Sequence, residues 1–145
     1  MYNKYMKNFI STCKSIMIPA LRVSISIVFI WFGWLKVIGI SPATPLVEAL
    51  HNVTIVSSID FGTFMIFFGL FEVLIGILFL FKKASKIAIT LLAIHMVTTL
   101  MPLFLLPKIA WSGFLVPTLE GQYIIKNLVI IAAAIAIAGH MHKEK

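Results

Sequence analysis

The sequence predicts an all-α fold, a polytopic membrane protein built as a bundle of four transmembrane helices with a short amphipathic helix on the outer side. Three observations predict it: few charges, four apolar stretches of membrane length, and lysines grouped between those stretches. Of the 145 residues, 61% are hydrophobic and only 12% are charged, whereas soluble domains carry about 25% charged residues. So few charges cannot cover a soluble surface, and we expect one transmembrane domain over residues 1–145.

The four apolar stretches are each close to the length of about 20 residues that crosses a bilayer as a helix. They cover approximately residues 17–39, 62–81, 87–106 and 122–139. The first stretch follows three lysines, as the apolar part of a signal peptide does, but it is too long and no A-x-A cleavage site follows it. We therefore expect four membrane spans.

The positions of the lysines predict the orientation of these spans. They precede the first span, link the second to the third and end the chain: Lys4, Lys7, Lys14, Lys82, Lys83, Lys86, Lys143 and Lys145. The opposite side has only Lys108 beside three acids. Because cytoplasmic loops are enriched in Lys and Arg, both termini are expected in the cytoplasm. The net charge of +7 therefore indicates the lipid bilayer as the partner and not a nucleic acid.

The two outer connections carry their own signals. Thr44 is a cap residue before Pro45, a proline at the first helical position, and Leu46, Leu50 and Val53 follow at helical spacing. This pattern predicts the short amphipathic helix, lying on the outer membrane face. The second connection has aromatic residues of the kind found at membrane interfaces, namely Trp111, Phe114 and Tyr123.

Each span also has one face of small and polar residues at the spacing of a helix-packing seam. The four faces are Arg22, Ser26, Phe29, Gly33 and Lys36; Gly62, Gly69, Glu72 and Gly76; Ala88, Leu91, His95, Thr98 and Pro102; and Gln122, Lys126, Val129, Ala133, Ala136 and His140. Small side chains let helices approach closely, so we expect these faces to meet inside the bundle.

Ionisable residues on these faces make the candidate site, because charges within a span are costly and normally face the bundle interior. At about 1.5 Å per residue, Glu72 and His95 fall near mid-membrane and Lys36 and Lys126 in the outer third. We expect an outward-opening pocket in which Lys36 or Lys126 keeps Glu72 ionised. The candidate ligand-binding residues are Glu72, Lys126, Lys36, His95, Asn127, Thr98 and Gln122.

Simpler structural roles compete with this interpretation. Lys36 and Lys126 are near enough to the boundary to extend to the lipid headgroups, and Arg22 is expected to be a boundary anchor. His95 has no second histidine at its depth, which favours an interhelical hydrogen bond over haem or metal. No metal site is predicted, and the lone Cys13 excludes a disulfide within the chain. Glu72, near mid-membrane, is too far from the lipid headgroups for its side chain to reach them, so it is expected to have a specific role.

Three segments resemble the DoxX-like membrane proteins, especially their YkgB-like branch: Arg22 with residues 31–36, residues 69–76, and residues 121–128. The resemblance covers nearly the whole chain, in order and at matching spacing. It implies a four-helix bundle in the bacterial inner membrane with a link to redox biology, since relatives include a subunit of a thiosulfate:quinone oxidoreductase and partners of oxidative-stress enzymes. This chain departs from the pattern at residues 41–44 and at Asn127, where the YkgB-like branch carries acids.

The leading interpretation is a DoxX-like inner-membrane protein that binds a small lipophilic or anionic molecule, such as a quinone, and supports a redox or stress-response partner. An enzyme would also need a cofactor, because Glu72, His95 and the lysines move protons but not electrons. A small proton-coupled transporter using Glu72 is an alternative, and with four spans it would have to oligomerise. A non-catalytic scaffold or assembly factor is another. The sequence leaves these alternatives, and homo-oligomerisation, open.

Overall fold

A computed structural model describes residues 2–143, which are mostly helical. In chain order the helices are α1 (Tyr2–Val37), α2 (Thr44–Asn52), α3 (Phe61–Leu80), α4 (Ser85–Leu100), α5 (Pro102–Leu105), α6 (Pro107–Ala110) and α7 (Leu119–Lys143). Single turns of 3-10 helix lie at Ile55–Ser58 and Lys82–Ala84. Within residues 2–143, four apolar helical segments are long enough to cross a membrane. The predicted number of long apolar helices is confirmed.

The bounds of two long segments differ from the predicted ones. Helix α1 begins at Tyr2 instead of near residue 17, since the polar residues before the apolar stretch continue the same helix. The third stretch is interrupted after Leu100, where α5 begins at Pro102. Proline has no backbone N–H to continue the hydrogen-bond pattern of the preceding helix, so it suits the first turn of a new one.

The connection between α1 and α3 contains the predicted short helix, α2, but Thr44 does not cap it. The residue before the helix is Ala43, and the Thr44 hydroxyl instead donates to the Ser41 carbonyl at 2.8 Å. At the start of α3, the backbone N–H and the hydroxyl of Thr63 donate to the Asp60 carboxylate. These hydrogen bonds lower the pKa of the Asp60 carboxyl from its ordinary value.

The connection between α6 and α7 is a small β-hairpin, which the all-α prediction did not include. Strand β1 (Trp111–Gly113) pairs antiparallel with β2 (Val116–Pro117). The tip consists of Phe114 and Leu115, 93% and 72% exposed, and Leu115 has a left-handed φ of 56°. A proline in β2 and a glycine in β1 disfavour helix here.

Helices α1 and α3 form the closest pair in the bundle. A Cβ atom added to Gly33 would lie 2.6 Å from the Gly69 carbonyl oxygen, and one added to Gly69 would lie 2.6 Å from the Gly33 carbonyl oxygen. The predicted inward faces of α1, α3 and α4 are buried, except that Gly62 is exposed and that Leu91 and Thr98 are half-buried. The apolar core next to this contact includes Ile25, Phe29, Ile75, Phe79, Leu92 and Ile137.

The predicted inward face of α7 is wrong. Gln122, Lys126, Val129 and Ala136 are all exposed. The residues that α7 buries are Gly121, Ile124, Ala134 and Ile137. Alanines lie on every side of this helix, so small residues do not identify one buried face as they do in α3. The polar residues near its first turns face outward.

Candidate functional site

The centre of the bundle holds a cluster of three ionisable side chains from three helices. The Lys36 ammonium of α1 donates to Glu72 Oε2 of α3 at 2.6 Å. His95 Nε2 of α4 lies 3.3 Å from Glu72 Oε1. The three residues are only 6%, 6% and 4% exposed, respectively. The structure therefore brings together three of the residues that the sequence singled out.

Two glycines make room for the ion pair. A Cβ atom added to Gly33 would lie 2.9 Å from the Cβ of Glu72, and one added to Gly69 would lie 3.0 Å from the Cβ of Lys36. Each glycine thus faces one member of the pair on the neighbouring helix. Gly33 and Gly69 together form a glycine seam between α1 and α3. This seam is the reason that the Lys36 and Glu72 side chains can meet while remaining buried.

The Glu72 carboxylate faces the Nε2 atom of the His95 imidazole. Because an ionised carboxylate only accepts hydrogen bonds, we assign the imidazole hydrogen to Nε2. The Lys36 and Glu72 charges cancel, so a neutral imidazole leaves the cluster without net charge. Among residues 2–143, His95 Nδ1 has no hydrogen-bond partner although it is buried. A buried nitrogen without a partner is costly and calls for a specific explanation.

Aromatic rings surround His95. The rings of Phe29, Phe68 and Phe71 have centroids 5.3, 5.2 and 6.1 Å from the imidazole centroid. The Lys36 ammonium also lies 5.6 Å from the centroid of the Phe68 ring. The cluster therefore combines flat apolar walls with a few polar atoms at fixed positions, a composition that small-molecule sites share. The two cavities next to Arg22 and Ser26 are lined by none of Lys36, Glu72 and His95.

A column of rings connects this cluster to α2. His51 is 4% exposed, and its ring centroid lies 5.1 Å from that of Phe64, which stacks on Phe68 at 5.6 Å. Phe68 then reaches His95. His51 and this column were not predicted from the sequence. Phenylalanines at positions 61, 64, 68 and 71 recur at helical spacing and were the available signal.

The remaining candidate residues make their contacts elsewhere. The Thr98 hydroxyl donates to the backbone carbonyl of His95 in its own helix at 2.7 Å. The exposed Lys126 packs its ammonium 5.1 Å from the Tyr123 ring centroid. The Asn127 amide donates to carbonyls of its own helix, and Gln122 is exposed. The expectation that residues of α7 share a pocket with Glu72 is corrected, because α7 turns this face outward.

Arg22, which was expected to be a boundary anchor, lies on the inward face of α1 and is buried between helices. It is 7% exposed and donates to the Phe79 carbonyl at 3.3 Å and to the Ser85 hydroxyl at 2.6 Å. The guanidinium thereby ties α1 to the end of α3 and the start of α4. Its planar set of donors suits the bridging of two acceptors.

Comparisons of the chain with protein-family models, with curated proteins and with solved structures found no match. The resemblance to the DoxX-like proteins therefore stays a prediction.

Proposed function

We propose that this chain is a DoxX-like, multi-pass protein of the bacterial inner membrane that holds a small lipophilic molecule, such as a quinone or quinol, against His95. In this role it supports a redox or stress-response partner. The observation that carries the proposal is the buried His95 Nδ1 atom without a hydrogen-bond partner among the described residues. A bound hydroxyl group would give that nitrogen the hydrogen bond it lacks.

The chemistry of the cluster favours an aromatic ligand with hydroxyl or carbonyl groups. With Nε2–H directed at Glu72, neutral Nδ1 accepts a hydrogen bond, which a quinol hydroxyl donates. Quinone carbonyls accept instead, and bind when Nδ1 carries the hydrogen. The phenylalanines around His95 suit a flat ring by edge and face contacts.

The membrane placement rests on the four apolar helical segments and on the distribution of the lysines. The proposed orientation puts the α3–α4 turn and both termini in the cytoplasm. Helix α2 and the β-hairpin then lie on the outer side, where the column from His51 to His95 begins. This placement puts Glu72 deep within the bilayer, where an ionised carboxylate requires a partner such as Lys36.

Replacement of His95 separates the roles of its two ring nitrogens. Glutamine reaches as far as Nε2 and can still donate to Glu72, whereas it has no group at the position of Nδ1. We expect His95→Gln to fold like the wild-type protein in mild detergent but to lose the quinone that co-purifies with it, measured by mass spectrometry of an organic extract. Phe67→Leu, on the exposed side of α3, is the matched control and should retain the quinone.

A scaffold or assembly factor is the second candidate, favoured by the fact that Glu72 contacts side chains from α1 and α4 at once. In that case the cluster only stabilises the packing of the helices and binds no ligand. A wild-type protein that contains no quinone or other extractable aromatic molecule, and a His95→Gln variant that complements a deletion strain fully, would favour the scaffold and contradict the ligand site.

A further inference from the structure

A cavity of about 400 Å³ lies at the end of the bundle that carries the α3–α4 turn. Its basic lining residues come from three parts of the chain: Lys14 and Arg22 of α1, Lys82 of the turn and His140 of α7. None of the described residues that line it is acidic. The described residues thus bring three cationic side chains and a histidine to one cavity, within a bundle whose interior is largely apolar.

The floor of this basic cavity is rigid. Arg22 is 7% exposed and is held in place by the Phe79 carbonyl and the Ser85 hydroxyl. Ser85 in turn donates to the Lys82 carbonyl at 2.6 Å. These bonds fix the turn on which Lys82 sits relative to α1. A site whose cationic floor is already ordered binds an anion with a smaller loss of conformational freedom.

An apolar groove continues from the basic cavity along the outside of α1 and α3. Its volume is about 330 Å³, and its lining is apolar apart from Ser26. Val23 and Leu80 line both the groove and the basic cavity, so the two are contiguous. The groove follows α1 from Val23 to Trp31, a length of about 12 Å at 1.5 Å per residue.

We propose that the basic cavity and the apolar groove together bind one anionic phospholipid. The phosphate lies among Lys14, Arg22 and Lys82, and one acyl chain follows the groove towards Trp31. Basic pockets between helices at the cytoplasmic surface are suited to anionic lipid headgroups. A free phosphate would leave the adjoining groove unused, whereas a phospholipid matches the positive cavity and the apolar groove in one molecule. The proposal rests on the proposed membrane placement but not on a ligand at His95.

Thermal unfolding in a neutral detergent tests the charge requirement. Added dioleoyl phosphatidylglycerol should raise the Tm of the wild-type protein, and dioleoyl phosphatidylcholine, which has the same acyl chains, should raise it far less. The variant Lys14→Gln/Lys82→Gln should bind phosphatidylglycerol at least tenfold more weakly. Its matched control is Lys7→Gln/Lys83→Gln, which removes the same charge from two exposed lysines outside the cavity and should bind like the wild type.

A second pair of variants tests the groove. Ile27→Trp fills it and should weaken phosphatidylglycerol binding, whereas Ile94→Trp, at an equally exposed position of α4, should not. Equal losses in the cavity and control lysine variants, or displacement of the lipid by equimolar glycerol phosphate, would overturn the proposal. All of these variants keep His95 and should retain the quinone. A wild-type protein that retains quinone but whose Tm does not rise with phosphatidylglycerol would contradict the lipid site alone. A wild-type protein that contains no quinone but is stabilised by phosphatidylglycerol would contradict only the proposed ligand at His95.

Discussion

At the scale of single residues, Glu72 contacts two side chains that belong to two other helices, and it accepts a hydrogen bond from one of them, Lys36. Its environment explains why only one of the two lysines proposed from the sequence is its partner. Lys36 lies on the face of α1 that meets the glycines of α3, whereas Lys126 extends outward beside Tyr123. Depth along a helix was predictable from residue counting, but the direction in which α7 turns its lysine was not.

The ion pair predicts a non-additive pair of substitutions. Glu72→Gln leaves the Lys36 ammonium buried without a counter-charge, and removal of one partner from a buried pair costs about 3–5 kcal/mol. Lys36→Met should cost a similar amount. The double variant should recover part of the loss, since no uncompensated charge remains, and unfolding in detergent measures the coupling. Lys126→Met is the control and should change stability little, and additive losses in the double variant would contradict the buried pair.

At the scale of elements, the contact between α1 and α3 organises the bundle, and glycines on both helices permit it. The sequence predicted that this face of α3 packs closely against another helix, because Gly69 and Gly76 share it and small residues mark close approach. Alanines surround α7 on all sides, so no comparable signal existed for that helix. The β-hairpin was not predicted either, because strands of two or three residues are too short to show a periodic pattern.

The glycine seam gives a prediction with an internal control. In Gly69→Ala the new Cβ meets a backbone carbonyl oxygen at 2.6 Å, so the helices must move apart and disturb the pair of Lys36 with Glu72. We expect the Tm in detergent to fall by several degrees. Gly139→Ala is the control, because nothing lies within 4 Å of its Cβ position and alanine favours helix over glycine by about 1 kcal/mol. It should leave the protein unchanged or slightly more stable, and similar effects of the two variants would show that the seam is not tightly packed.

At the scale of the whole molecule, the arrangement of charge predicts topology. Reporter fusions after Lys83 and after Lys145 should report the cytoplasm, and fusions near Asn52 and Gly113 should report the outer side. The physical reason is the grouping of lysines at the α3–α4 turn and at both ends of the chain. A reversed signal at any of the four positions contradicts either the orientation or the number of spans. The number of long helices followed from hydropathy alone, whereas the packing of α1 against α3 needed the structure.

The distance along the chain between Lys36 and Glu72 has a consequence for biosynthesis. Thirty-six residues separate the two partners, and a ribosome that adds about 5–20 residues per second needs about 2–7 s to make them. During that interval, under the proposed membrane placement, the first long helix carries an ammonium with no carboxylate to neutralise it. We therefore expect the arrival of α3 to make the insertion of this helix more favourable. The position of one glutamate in the chain then sets the moment at which the ammonium gains its counter-charge.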